Sequence, residues 1–165
     1  MLATTLVAGL LSGWAAEVAP LRGARRIPLA SPSGDFRAVR SQVIDSREKL
    51  DALVRSLNRR NDFDRGGGKD DYPAFAKTLA AARVDFSKEV MVLLRHDEAS
   101  ASTRVRFRLT EDADGTLTAT ITRDPGGAGV AMVATHGFAF VATRDQARRL
   151  VLWHVTRVSE VALPP

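Results

Sequence analysis

TRVRFRLTEDADGTLTATITRD, residues 103–124, is the stretch that decides the fold. Val105, Phe107 and Leu109 alternate with Arg104, Arg106 and Arg108; after a polar break, Leu117, Ala119 and Ile121 alternate with Thr116, Thr118, Thr120 and Thr122. A period of two marks a strand with one face on a core and the other in water. Two such strands joined by a short polar turn make an antiparallel hairpin, and parity sets its register. The apolar faces coincide only if paired residue numbers add to an even total, which a two-residue turn on Asp114 and Gly115 violates. A three-residue loop of Ala113, Asp114 and Gly115, with the glycine in the left-handed conformation, satisfies it. Phe107 then lies opposite Ile121 and Leu109 opposite Ala119. On the outer face Arg104 lies by Asp124, Arg106 by Thr122 and Arg108 by Thr120.

Upstream of the hairpin the periodicity changes. Leu50, Leu53, Val54 and Leu57 fall at i, i+3, i+4 and i+7, an amphipathic helix to about Asn58. Asp45 with Glu48 three residues on reads as its capping box. Residues 36–44 read as a strand leading into it. Residues 58–72 are polar and glycine-rich, as a loop would be, and Pro73 opens a second helix that ends near Arg83. Residues 89–96 hold five consecutive apolar positions from Val90 to Leu94, as a mid-sheet strand covered on both faces requires. Downstream, a turn is expected at His136 and Gly137, strands at 138–143 and 150–157, and a helical turn between them. Helices followed by strands give an α+β fold: two helices packed on a mainly antiparallel sheet or small sandwich.

The chain has 165 residues, enough for one domain that buries about 70% of its unfolded surface without a metal or disulfide staple. It has no cysteine, which excludes disulfides, thiolate metal sites and cysteine nucleophiles. Its net charge of +5, with a single tyrosine and no aromatic interleaving of the basic residues, does not suit a nucleic-acid binder. Residues 1–15 are uncharged and apolar, and Gly13 and Ala15 have the spacing a signal peptidase reads, so cleavage after Ala15 is expected, with Ala19 as the alternative. The run is too short and too interrupted by Thr4, Thr5 and Ser12 for a stable membrane span. The reading is therefore a signal peptide over 1–15, a leader or linker over 16–34 with a short strand near 26–29, one domain over 35–165, and an exported, periplasmic or extracellular, location.

From the helix at 45–57, through Val84-Asp85-Phe86-Ser87-Lys88-Glu89 entering the apolar strand, to the hairpin, the layout resembles the PrcB-like domain, over about residues 39–143. That is an exported bacterial domain named for a component that stabilises a surface protease complex; a wider group of exported bacterial proteins looks similar. Where such domains place Gly-Gly-Tyr before the next strand, this chain has Ser100-Ala101-Ser102-Thr103. The resemblance implies the α+β fold, export and a non-enzymatic role on a protease or surface complex.

Catalytic motifs are sparse. No G-x-S-x-G occurs, Gly9-Leu10-Leu11-Ser12-Gly13 having the wrong spacing, and Gly66-Gly67-Gly68-Lys69 lacks the earlier glycine and following hydroxyl of a P-loop. Asp62-Phe63-Asp64 begins like a calcium loop, but its twelfth position is Pro73 rather than glutamate. His96, His136 and His154 have no pairwise spacing that would make a local metal site, so no metal or cofactor is expected. Three functions remain. The leading one is an exported, non-catalytic module acting through protein contact, stabilising or inhibiting a partner. A second is a hydrolase or metal-dependent enzyme using His96, Asp97 and Glu98. A third is the binding of anionic glycan or lipid headgroups by Arg104, Arg106 and Arg108, about 6.8 Å apart along one strand.

Overall fold

The apolar run from Val90 to Leu94 occupies the centre of the molecule. In a computed structural model describing residues 21–29, 39–59, 72–99, 103–124 and 133–156, it lies in β3 (Glu89–Glu98), an interior strand of a four-stranded sheet. Its neighbours are β6 (Ala134–Thr143) and β2 (Gln42–Ile44), with β1 (Arg25–Ile27) beyond β6. A second sheet holds β4 (Arg104–Glu111), β5 (Leu117–Asp124) and β7 (Val151–Thr156), in that order. Helices α1 (Arg47–Asn58) and α2 (Tyr72–Ala81) cover the first sheet, and the short α3 (Arg144–Arg148) joins β6 to β7. The fold is α+β in three layers, helices on a sheet on a sheet.

The two faces of β3 explain why it is apolar throughout. Met91 and Leu93, with Ala139 and Val141 of β6, pack under Leu50, Leu57, Phe75, Ala76 and Leu79 of the helices. Val90 and Val92, with Phe138, Phe140 and Ala142, pack against Phe107, Leu109, Leu117, Ala119 and Ile121 of the second sheet. The rings of Phe107 and Phe138 stack there at 4.6 Å between centroids.

The hairpin has the register that parity requires: Phe107 opposite Ile121, Leu109 opposite Ala119, and Arg104, Arg106 and Arg108 opposite Asp124, Thr122 and Thr120. Gly115 takes φ +81°, and its N–H donates to Asp112 O at 3.1 Å. The strands are antiparallel with one exception, β7, which runs parallel to β5. Parallel neighbours need a crossover, and β6 with α3 supplies it by way of the other sheet.

Other boundaries differ from the sequence reading. Ser46, not Asp45, caps α1: its Oγ accepts from Lys49 N at 3.2 Å, while Asp45 makes an ion pair with Lys49 Nζ at 2.8 Å. Glu48 is thus the second helical residue, where its charge still favours the helix N-terminus. Of the strand expected over 36–44, residues 36–38 lie outside the described residues, and from residue 39 on the strand is Gln42–Ile44. At Ser41 the ladder gives way to a side-chain bond, Arg95 N to Ser41 Oγ at 2.9 Å. His136 and Gly137 do not turn the chain; they lie inside β6, where an unbroken ladder pairs them with His96 and Arg95. Residues of the expected leader join the fold, since Ala24 and Ile27 are buried and β1 pairs with β6. Residues 1–15 and most of the loop expected over 58–72 lie outside the described residues. No helix among the described residues is long and apolar enough to cross a membrane.

Candidate functional site

Two polar features stand out on this scaffold. One is the outer face of the second sheet. β4 is an edge strand, so Arg104, Arg106 and Arg108 are exposed along its outward row, beside Thr118, Thr120 and Thr122 of β5. Arg104 is the Cα partner of Asp124, yet the guanidinium that reaches that carboxylate is Arg106, at 3.2 Å. Arg104 and Arg108 have no carboxylate partner among the described residues. Among the described residues the stripe is thus one ion pair and two uncommitted guanidiniums on a strand with a free edge.

The second feature is at one end of the space between the sheets. The inward rows of β3, β6 and β5 are apolar along most of their length, then turn polar at His96 and Glu98, His136, and Arg123. Arg123 Nε donates to Glu98 Oε2 at 2.6 Å, and Nη2 donates to Oε1 at 2.7 Å. Glu98 is 3% exposed, and these bonds, against the cost of burial, hold its carboxyl down to about 2. His96 Nε2 lies 3.4 Å from the same carboxylate. The ring of His96 is 6.5 Å from that of His136 and 5.4 Å from that of His154 on β7. Burial lowers the pKa of His136, the neighbouring His96 adding to the effect, and its Nε2 is buried with no hydrogen-bond partner among the described residues.

His96, Asp97 and Glu98 are consecutive on a strand, so Asp97 takes the opposite face from the other two. Arg95 donates to Asp97 through Nε and Nη2, each at 2.8 Å, and Thr135 Oγ1 donates at 2.9 Å, which keeps this carboxyl below its usual range. Both carboxylates are therefore ionised and committed to arginines, and a general acid needs a proton to give. Among the described residues no group of three histidine or carboxylate side chains is arranged to hold a metal ion. A groove of about 430 Å³ lies between β1 and α2, lined by Arg25, Ile27, Lys77 and Val141 and by none of these three residues.

The Asp85-Phe86-Ser87-Lys88 segment proves to be turn chemistry. Asp85 Oδ1 accepts from Ser87 Oγ at 2.6 Å and Ser87 N at 3.1 Å, and its carbonyl accepts from Lys88 and Glu89 N at 2.9 and 2.7 Å. The motif delivers the chain into β3. Sequence reasoning missed the Glu98–Arg123 clamp and the meeting of the histidines. One signal pointed to the clamp: Arg123 continues the inward parity of Ala119 and Ile121, and an inward arginine needs a carboxylate. Comparison with family models, with curated proteins and with solved structures finds no match for this chain.

Proposed function

We propose that this chain is an exported, non-catalytic module that acts by contact with a protein partner, and that the outer face of β4 and β5 is its contact surface for acidic groups on that partner. The observation that carries the reading is the row of Arg104, Arg106 and Arg108 on an exposed edge strand, with two of the three uncommitted. Guanidinium is weakly hydrated and meets carboxylates in a planar fork, so it suits protein interfaces. An edge strand also offers backbone donors and acceptors to a partner strand. The carboxylates beside His96 are occupied by arginines, which favours binding over acid–base chemistry as the reading of this chain. Export rests on the apolar residues 1–15, and the resemblance to the PrcB-like domain suggests a protease or surface complex as the partner class.

The test is capture from the native extracellular or periplasmic fraction by the tagged chain and by a variant with Arg104, Arg106 and Arg108 all changed to Gln. The reading expects a specific protein retained by the first and lost by the second, with both folded. A protein retained equally by both would overturn the assignment of this face.

A further inference from the structure

The chain has three histidines, and His96 is flanked by the other two. His96 and His136 are cross-strand partners on β3 and β6, and His154 approaches His96 from β7 in the other sheet. They lie where the apolar packing of Phe107, Phe138 and Ile121 between the sheets ends. The charged and titratable groups that face them, among the described residues, are Glu98 from β3 and Arg123 from β5; β4 faces this end with Val105. Glu98 is shared between Arg123 and His96, whose Nε2 lies 3.4 Å from it, while His136 Nε2 is buried with no hydrogen-bond partner among the described residues.

We propose that this cluster is an acid-sensitive latch between the two sheets: the neutral imidazole of His136 holds the end of the sandwich closed, and its proton uptake opens it, with the β7 edge strand separating first. A proton on His136 adds a positive charge to an end of the sandwich that already holds Arg123, at a ring nitrogen cut off from water, where like charges repel more strongly than in solvent. The side chain of His96, only 10% exposed, closes the same end against solvent. β7 is the weaker side of the latch. Among the described residues it is paired on one edge only, to β5, and its Val151 and Leu152 are already exposed.

The direction follows from linkage. The folded-state pKa of His136 lies below the value of about 6.5 it has in an open chain, so the open form takes up its proton first as pH falls. Closure is complete above about pH 6.5 and is lost as pH drops below it, by up to about tenfold in the open population per pH unit for each proton taken up. Glu98 acts in a separate, lower window, from its ordinary 4.5 down to about 2. Within this cluster a change between pH 7 and pH 5 therefore belongs chiefly to His136.

The experiment is urea unfolding of the chain at pH 7 and pH 5, with amide hydrogen exchange at both, for the wild type, His136→Phe and His136→Gln. The latch predicts a lower wild-type midpoint at pH 5. After correction for intrinsic rates, exchange should quicken at residues 134–136 and 151–156 more than at 139–142. His136→Phe should flatten the pH dependence; should that chain not fold, His136→Gln, which keeps a polar group but cannot take up a proton in this range, should still reduce it. A wild-type midpoint that is the same at both pH values would overturn the proposal. So would an undiminished drop in the variants that fold, or exchange that quickens uniformly along the chain.

Discussion

Arg123 of β5 clamps Glu98 of β3 through two parallel hydrogen bonds, at 2.6 and 2.7 Å, and so ties one sheet to the other. Neither residue belongs to the apolar packing between the layers; the pair closes the space where that packing stops. A bidentate guanidinium–carboxylate pair fixes orientation as well as distance, so it sets how the second sheet, with its arginine face, is carried on the first.

Removing one partner should cost more than removing both. Arg123→Met leaves the carboxylate of Glu98 buried and unpaired, and should destabilise the chain by about 2 to 3 kcal/mol, at the low end for a buried pair because the guanidinium is 36% exposed. Adding Glu98→Leu should recover most of that loss. Urea melts of the two singles and the double give the coupling directly.

The same pair makes the fold acid-sensitive. The carboxyl of Glu98 is held at about 2 in the folded chain against an ordinary 4.5, chiefly by Arg123, so the unfolded chain binds this proton first as pH falls. The contribution is fully present above about pH 4.5, is lost as pH drops towards 2, and amounts to about 3 kcal/mol. Glu98→Gln should flatten the stability curve in that window and lower the plateau above it.

At the first helix, Ser46→Ala should cost about 1 kcal/mol, because Ser46 Oγ is what receives the N–H of Lys49. Asp45→Ala should cost less, since its bond is to an exposed lysine head. Leu50→Ala, at a fully buried position, should cost about 2 to 5 kcal/mol. Thermal or urea melts rank the three, and an Asp45 effect larger than that of Ser46 would contradict the cap.

In the hairpin loop, Gly115→Ala should cost about 1 to 2 kcal/mol from backbone strain alone. The φ of +81° disfavours a side chain, while the added Cβ would meet its nearest neighbour, Arg149 Nη2, at an ordinary 3.6 Å. Gly115→Asn should cost less, since asparagine tolerates this conformation.

How much of this is legible in the sequence depends on whether the determinant is local. The hairpin register is readable because period two and parity leave one solution, and Gly115 marks the turn. The central place of β3 is readable because a strand apolar on both faces must be covered on both. The cap is misread by one residue because Asp45 and Ser46 both accept hydrogen bonds, and only the entry geometry chooses between them. The outward row of Arg104, Arg106 and Arg108 is legible for the same reason as the register. The histidine cluster is not. His96, His136 and His154 meet through the pairing of β3 with β6 and a parallel β7 beside β5, and neither pairing is specified by periodicity or turn chemistry.

The claim that the arginine face of β4 is a contact surface for acidic protein groups is tested most directly by calorimetric titration of an oligoglutamate peptide. The wild-type chain should be compared with the Arg104, Arg106 and Arg108 triple Gln variant at low and at physiological salt. The account predicts binding that weakens with salt in the wild type and falls by about tenfold or more in the variant, with the melting temperature nearly unchanged, because exposed charges each contribute up to about 1 kcal/mol. Equal affinity and equal salt dependence in the two chains would contradict it.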